Sequence, residues 1–309
     1  MRHVLITGGG GFLGRKLAAV LARRPDVEKI TLFDQAPIPD PPPKATTVTG
    51  DLLAPGMVER IATADVDAVV HLAAVVSSGA EADFDLGMRV NIDGLRAMLE
   101  RLRALGTTPK VVFASSVAAF GQTPPVVTDD TPTRPQSSYG VQKAIGEYLV
   151  NDMSRKGFID GRVMRLPTVV VRPGKPNKAA SSFASGILRE PMNGVATVCP
   201  VRRELALWIA SPRAVTEAFV HALETPAALW APWRTINLCG ITVTVDAMVA
   251  ALARAGGDPG LIEWTRDPAI EAIVETWPAR FETARADAMG FRRDENIDAI
   301  LMAYKDDDM

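Results

Sequence analysis

A chain of 309 residues, 47% apolar and 23% charged, has the composition of an ordinary soluble protein, with room for one large domain plus a smaller one. Its net charge of −2 excludes the basic excess of a nucleic-acid binder, and no apolar run reaches the ~20 residues of a membrane span. Two cysteines (Cys199, Cys239) and three scattered histidines (His3, His71, His221) offer neither a disulfide framework nor metal-ligand spacing. With no signal-peptide layout ahead of Val4-Leu5-Ile6, the expectation is a metal-free cytoplasmic protein.

Residues 2–7 read as a short buried strand that runs straight into Gly8-Gly9-Gly10-Gly11-Phe12-Leu13-Gly14. A helix follows with Leu13, Leu17, Val20 and Leu21 on one face, and Arg24-Pro25 ends it. Strand, glycine turn and helix in that order make a phosphate cradle. Gly8 permits the tight turn, Gly11 lets backbone approach a pyrophosphate, and Gly14 lets the helix pack close to the strand. Phe12 and Leu13, inside the motif, count with them as cofactor contacts. Unpaired N–H groups at the helix start then point at the phosphates.

A second strand, residues 29–33, ends in Asp34, where an acid about twenty residues past the glycines meets the adenosine ribose hydroxyls. Asp34 would repel a 2′-phosphate and no arginine follows at once, so the cofactor read here is NAD. Prolines at 37, 39 and 41–43 make residues 35–44 a stiff exposed loop. A third strand at 46–50 delivers Asp51-Leu52 to the adenine. A fourth at 67–72 ends in Leu72-Ala73-Ala74, whose small side chains let backbone pass beside the cofactor. His71 there reads as a packed strand residue. A long helix over 83–105 carries Asn91 in a buried polar role, and a fifth strand at 110–114 presents Ser115-Ser116 at its C-terminal end.

This alternation implies an α/β fold: a Rossmann-type doubly wound parallel sheet with a smaller C-terminal substrate-binding subdomain. Residues 1–170, completed by part of 200–240, are read as the NAD-binding domain, and 171–309 as the substrate-binding region. In Ser137-Ser138-Tyr139-Gly140-Val141-Gln142-Lys143, Tyr139 and Lys143 share a helix face, so an ammonium lies close to a phenol. A fixed cation favours phenolate, which is the form a proton-abstracting tyrosine needs.

Taken together these blocks resemble the extended short-chain dehydrogenase/reductase family of NAD-dependent epimerases and dehydratases. The resemblance rests on Thr7-Gly8-x-x-Gly11-x-x-Gly14, His71-Leu72-Ala73-Ala74, Asn91-Ile92-Asp93-Gly94 and Ser115-Ser116-x-x-x-Phe120-Gly121. It continues through Ser138-Tyr139-Gly140-x-x-Lys143-x-x-x-Glu147, Arg165-Leu166-Pro167-Thr168-Val169 and residues 284–291, spanning nearly the whole chain. It implies that Tyr139 transfers the proton, Lys143 holds the cofactor ribose and lowers the phenol pKa, and Ser116 hydrogen-bonds the substrate oxygen. It also implies cofactor contacts at Asn91, Pro167 and Val169, and a homodimer formed through helices near 83–105 and 138–154.

Val117-Ala118 stand where the family's dehydratases carry an acidic pair, so dehydration is not expected. Between 165 and 213 the basic residues are Arg165, Arg172, Lys175, Lys178, Arg189, Arg202, Arg203 and Arg213, opposed by Glu190 and Glu204. That surplus suits a small anionic substrate. The polar, tightly turned segment 172–183 and Trp208-Ile209-Ala210-Ser211-Pro212-Arg213 resemble the branch containing the D-erythronate dehydrogenases, which oxidise the C2 hydroxyl of a four-carbon sugar acid to a 2-oxo acid with NAD. Ser181, Ser182 and Arg213 are the expected substrate contacts, beside Ser116 and Tyr139. The alternatives are an NAD-dependent nucleotide-sugar epimerase and a non-catalytic dinucleotide sensor. A helix is read over 243–255, and the tail, 305–309, is expected to fray.

Overall fold

The computed structural model describes residues 1–174 and 179–309. The strands in chain order are β1 His3–Thr7, β2 Lys29–Asp34, β3 Ala45–Thr49, β4 Ala68–His71, β5 Lys110–Ser116, β6 Asp160–Leu166, β7 Thr168–Val169, β8 Thr197–Cys199, β9 Ala206–Ala210, β10 Thr235–Asn237, β11 Ile241–Thr244 and β12 Ile262–Trp264. β1 is buried at all five positions, as a strand covered on both faces must be. Seven strands form one sheet in the order β10-β6-β5-β4-β1-β2-β3, with every ladder parallel. The chain winds outward from β1 in both directions, so a crevice opens at the C-terminal ends of β1 and β4.

Helices cover both faces. Val4 and Ile6 of β1 pack with the helices Phe12–Ala22 and Pro212–Glu224, through Leu17, Leu21, Val215 and Phe219. Leu5 points the opposite way, onto Leu95, Met98 and Leu102 of Gly94–Leu105 and Val150 of Ser138–Arg155. A separate core lies beyond the sheet, where Phe183, Ile187, Leu207, Met248, Leu252 and Ile300 meet. Two small sheets accompany it, β11-β9-β7 and β12-β8. Among the described residues, no helix is long and apolar enough to cross a membrane.

Three elements differ from the sequence reading. The helix expected over 83–105 is interrupted: Phe84–Gly87 leads into a π-helical turn, Met88–Asp93, before Gly94–Leu105. The wider turn lets Asn91 face inward, where its Oδ1 accepts from Val75 N at 2.8 Å and its Nδ2 donates to Val75 O and Gln142 Oε1. Residues 241–244, expected in part as a helix start, form β11 and pair antiparallel with β9, as suits Ile-Thr-Val-Thr. The tail is helical as far as Asp308, as the last turn of the helix Ile297–Asp308, and only Met309 lies beyond it. Three aspartates at a helix C-terminus oppose the dipole, and Lys16 and Arg213 offset them by pairing with Asp308 and with Asp306 and Asp307.

Candidate active site

A cleft of about 450 Å³ opens where the sheet order reverses. Gly8, Gly11, Phe12, Leu13 and Gly14 line one wall. Gly8 has φ +71°, and a Cβ there would lie 2.7 Å from Ala73 N, so this turn admits glycine alone without strain. Gly11 caps the following helix without any side-chain hydrogen bond, which leaves first-turn N–H groups for a ligand. At the far end Asp34 lines the cleft, its Oδ2 accepting from Gly10 N at 2.9 Å. Asp51, ion-paired with Arg89, and Leu52 line it too, as do Leu72, Ala73 and Ala74 across the opening. Asn91 sits behind the wall, pinning Val75, which lines it. A cradle that a Cβ would fill, an uncapped helix start and a distal carboxylate fit a dinucleotide such as NAD.

Tyr139 and Lys143 line the inner end of this cleft. Their helix, Ser138–Arg155, is capped by Ser137, whose Oγ accepts from Gly140 N at 3.2 Å. Gly140 presses on the Val117–Ala119 turn: a Cβ there would meet Ala118 O at 2.1 Å. That approach sets the phenol of Tyr139 close to Ser116, which acts on its ionisation. Lys143 Nζ donates to Ala114 O at 2.8 Å and lies 5.5 Å from the Tyr139 ring centre.

Burial pushes the Tyr139 phenol up to about 12, outweighing the nearby Ser116 hydroxyl and the charge of Arg172, which pull the other way. Arg172 is a cation acting on the phenol beside the Lys143 that the sequence points to. Burial also draws Lys143 down to about 8, against the stabilising charge of Glu147. His71, hydrogen-bonded to Thr7 Oγ at 2.9 Å and stacked on Phe113, is pushed to about 3 by burial and then by Lys143. It is a neutral packed residue.

Beneath the cluster, Arg165 grips Glu147 at 2.7 Å, and Glu147 accepts from Ser115 Oγ at 2.5 Å. The Arg165 guanidinium also lies 4.7 Å from the Phe120 ring centre, so this buried network supports the turn that carries Ser116. Leu166 lines the cleft, whereas Pro167 and Val169 stand just past it at the β6–β7 junction. Ser181 is buried and accepts from Arg172 at 2.6 Å, and Ser182 opens the helix Ser182–Met192. Arg213 is not brought to the cluster. It binds Asp306 and Asp307 beside a different hollow of about 630 Å³, bordered by the proline segment and the chain end.

The positive surplus read along 165–213 is largely cancelled in space. Arg165 meets Glu147, Arg202 meets Glu271 and Glu275, Arg203 meets Asp246, and Arg213 meets the C-terminal aspartates. Apart from Arg189 with Glu190, these acids lie outside the stretch that was counted. Lys175 and Lys178 lie outside the described residues. Sequence reasoning missed Ser77, whose Oγ accepts from Ala180 N at 3.0 Å and ties the segment after β7 to the cleft wall. No local pattern announces a contact between residues 103 apart.

The chain matches the model of the NAD dependent epimerase/dehydratase family over residues 4–231. It is 51% identical to the D-erythronate dehydrogenase of Cupriavidus necator, with 99% of this chain and 98% of that protein covered. It is 44% identical to the D-erythronate dehydrogenase of Haemophilus influenzae, with 99% of each covered. Among solved structures it resembles the nucleoside-diphosphate-sugar epimerase from Agrobacterium tumefaciens, with TM-score 0.91, 39% identity, and 99% and 94% of the two chains covered.

Proposed function

Since this chain belongs to the NAD dependent epimerase/dehydratase family and is an NAD-dependent oxidoreductase, we propose that it oxidises the C2 hydroxyl of D-erythronate to the 2-oxo acid. The observation that carries the chemistry is the Tyr139–Lys143 pair lining the inner end of the dinucleotide cleft, with Ser116 close to the phenol. The choice of substrate is supported by two relatives of matching length that both bear that activity's name. On this reading residues 1–170, completed by part of 200–240, hold the cofactor, and 171–309 shape the substrate site.

NAD+ supplies the acceptor for the C2 hydride. Ser116 and Tyr139 hold the substrate hydroxyl between them, and Tyr139 takes its proton. Lys143 stays oriented by Ala114 O while its ammonium reaches the ribose. Gly8, Gly11, Phe12, Leu13 and Gly14 carry the pyrophosphate, Asp34 the adenosine ribose, and Asp51 and Leu52 the adenine. Leu72, Ala73 and Ala74 border the cofactor's middle, Asn91 fixes that wall through Val75, and Pro167 and Val169 close the nicotinamide end. Ser181 and Ser182 border the substrate, and Arg213 is left out. Two copies pair through the exposed apolar face of Phe84, Leu86, Val141, Ile145 and Tyr148.

The test is NADH formation from NAD+ or NADP+ with D-erythronate, its stereoisomers and nucleotide sugars. NAD-linked turnover of D-erythronate is the expected result. The name borne by the Agrobacterium structure favours a second reading, nucleotide-sugar epimerisation. Silence with every sugar acid, together with isomer formation from a nucleotide sugar and no net NADH, would select it. Loss of both activities would leave the dinucleotide sensor, which has no use for the Ser116–Tyr139–Lys143 cluster.

A further inference from the structure

We infer that Arg172 is the residue that binds the carboxylate of the substrate, a deepening that rests on the sugar-acid reading above. In a 2-hydroxy acid the carboxylate carbon is bonded to the carbon that gives up hydride. Its anchor must therefore stand beside the group that takes the hydroxyl proton. That constraint separates the described arginines of this region by position. Arg165 is locked beneath the site on buried Glu147, Arg202 and Arg203 are paired with Glu271 and Asp246, and Arg213 belongs to another hollow. Arg172 is held at the end of β7, where its guanidinium sits on Val169 O just past the strand end that lines the cleft, and its charge acts on the Tyr139 phenol.

Its placement is built. Nε donates to Val169 O at 3.0 Å and a terminal nitrogen donates to Ser181 Oγ at 2.6 Å, among other contacts. The backbone is pinned from both sides: Arg172 N donates to Ser185 Oγ at 3.0 Å, and Arg172 O accepts from Arg189 at 2.6 Å. The segment is fastened in turn to the cleft by Ala180 N and Ser77 Oγ. Ser77 opens the helix Ser77–Ala82, directly after Val75 and Val76 of the cleft wall. Arg172 is thus fixed between the end of β7 and the cleft wall that runs through Val75 and Val76, on the side of the cleft that Tyr139 lines. A guanidinium oriented by neutral oxygens is well matched to a planar carboxylate, and an ammonium in its place would not reproduce the fork.

The experiment compares D-erythronate with D-erythronamide, which has the same hydroxyls and no charge, in wild type, Arg172→Gln, Arg172→Lys and Ser181→Ala. Arg172→Gln should raise KM for the acid by about tenfold to a hundredfold and change KM for the amide by less than about threefold. Arg172→Lys should recover part of the preference. Ser181→Ala, which removes one anchor of the guanidinium, should raise the acid KM about threefold to tenfold and lower the preference for acid over amide. NAD binding, measured by titration, should be unchanged in all three, which also reports that they are folded. Should the acid-to-amide ratio stay at the wild-type value in the folded variants, Arg172 is not the anchor. A wild type that oxidises no sugar acid would be seen before any variant is made, and would remove the sugar-acid reading together with this inference.

Discussion

From β1 to β5 the cleft is lined by a tight backbone turn at Gly8, the uncapped helix start at Gly11 and the small Ala73-Ala74, among larger apolar side chains and the carboxylates of Asp34 and Asp51. Beyond β6, outside the lining of the cleft, stand long polar side chains tied to one another, Arg172 with Ser181 and Arg165 with Glu147. The first kind of wall recognises what every dinucleotide has in common, a pyrophosphate and ribose hydroxyls. On the proposed reading the second kind would distinguish one small substrate from another, because placed charges and hydroxyls report a carboxylate's position. A fold that hosts several reactions keeps the first wall and varies the second.

Substitutions in the two walls should separate along this line. The largest effect is expected where they meet: Tyr139→Phe should lower kcat by roughly 10²–10⁴-fold while leaving NAD affinity unchanged in titration. A near-normal rate in that variant would dissolve the contrast, since the proton would then leave by another route. Next in size is Glu147→Ala, which strands the buried Arg165 charge and should cost ~3–5 kcal/mol in denaturant unfolding. Were the loss under about 1 kcal/mol, the network would not be what supports the Ser116 turn.

His71 gives a pH-dependent contrast. Its folded value of about 3 lies below its ordinary value of 6.5, so its share of stability is intact above 6.5 and is lost as pH falls toward about 3. His71→Asn, which keeps a partner for Thr7, should flatten the acid limb of the stability curve by on the order of 2–4 kcal/mol. An unchanged acid limb would show that the imidazole titrates normally. A smaller effect is expected from Asp34→Asn: NAD affinity should fall about tenfold and the margin over NADP+ should narrow. Both cofactors weakening equally would argue that Asp34 holds the turn through Gly10 rather than the ribose. Smallest of all, Arg213→Ala should leave KM for substrate within about twofold, since that guanidinium serves the C-terminal aspartates.

Local features of the sequence carried a good part of this structure. Gly8, Asp34, Ala73 and the Tyr139–Lys143 pair are legible because each acts through neighbours within a few residues, or at the end of a strand whose place the alternation of elements dictates. The parallel sheet was legible for the same reason: apolar runs as short as His3–Thr7 fit a strand buried on both faces. The π-turn at Asn91 was not, because nothing nearby requires it; its cause is the backbone of Val75 and the amide of Gln142.

Charge was the least legible property. A count along 165–213 gave a surplus, and the fold then supplied Glu147, Asp246, Glu271, Glu275, Asp306 and Asp307 from elsewhere to cancel much of it. The same rearrangement moved Arg213 away from the cluster and brought the charge of Arg172 to bear on Tyr139. The sequence by itself determined the cofactor turn, the sheet and the helix that presents the phenol, since helical spacing and strand alternation are short-range geometry. Only the tertiary structure decided which cations stand beside that phenol, because Coulomb interactions depend on distance and burial in space, and both are set by contacts between residues far apart in the chain.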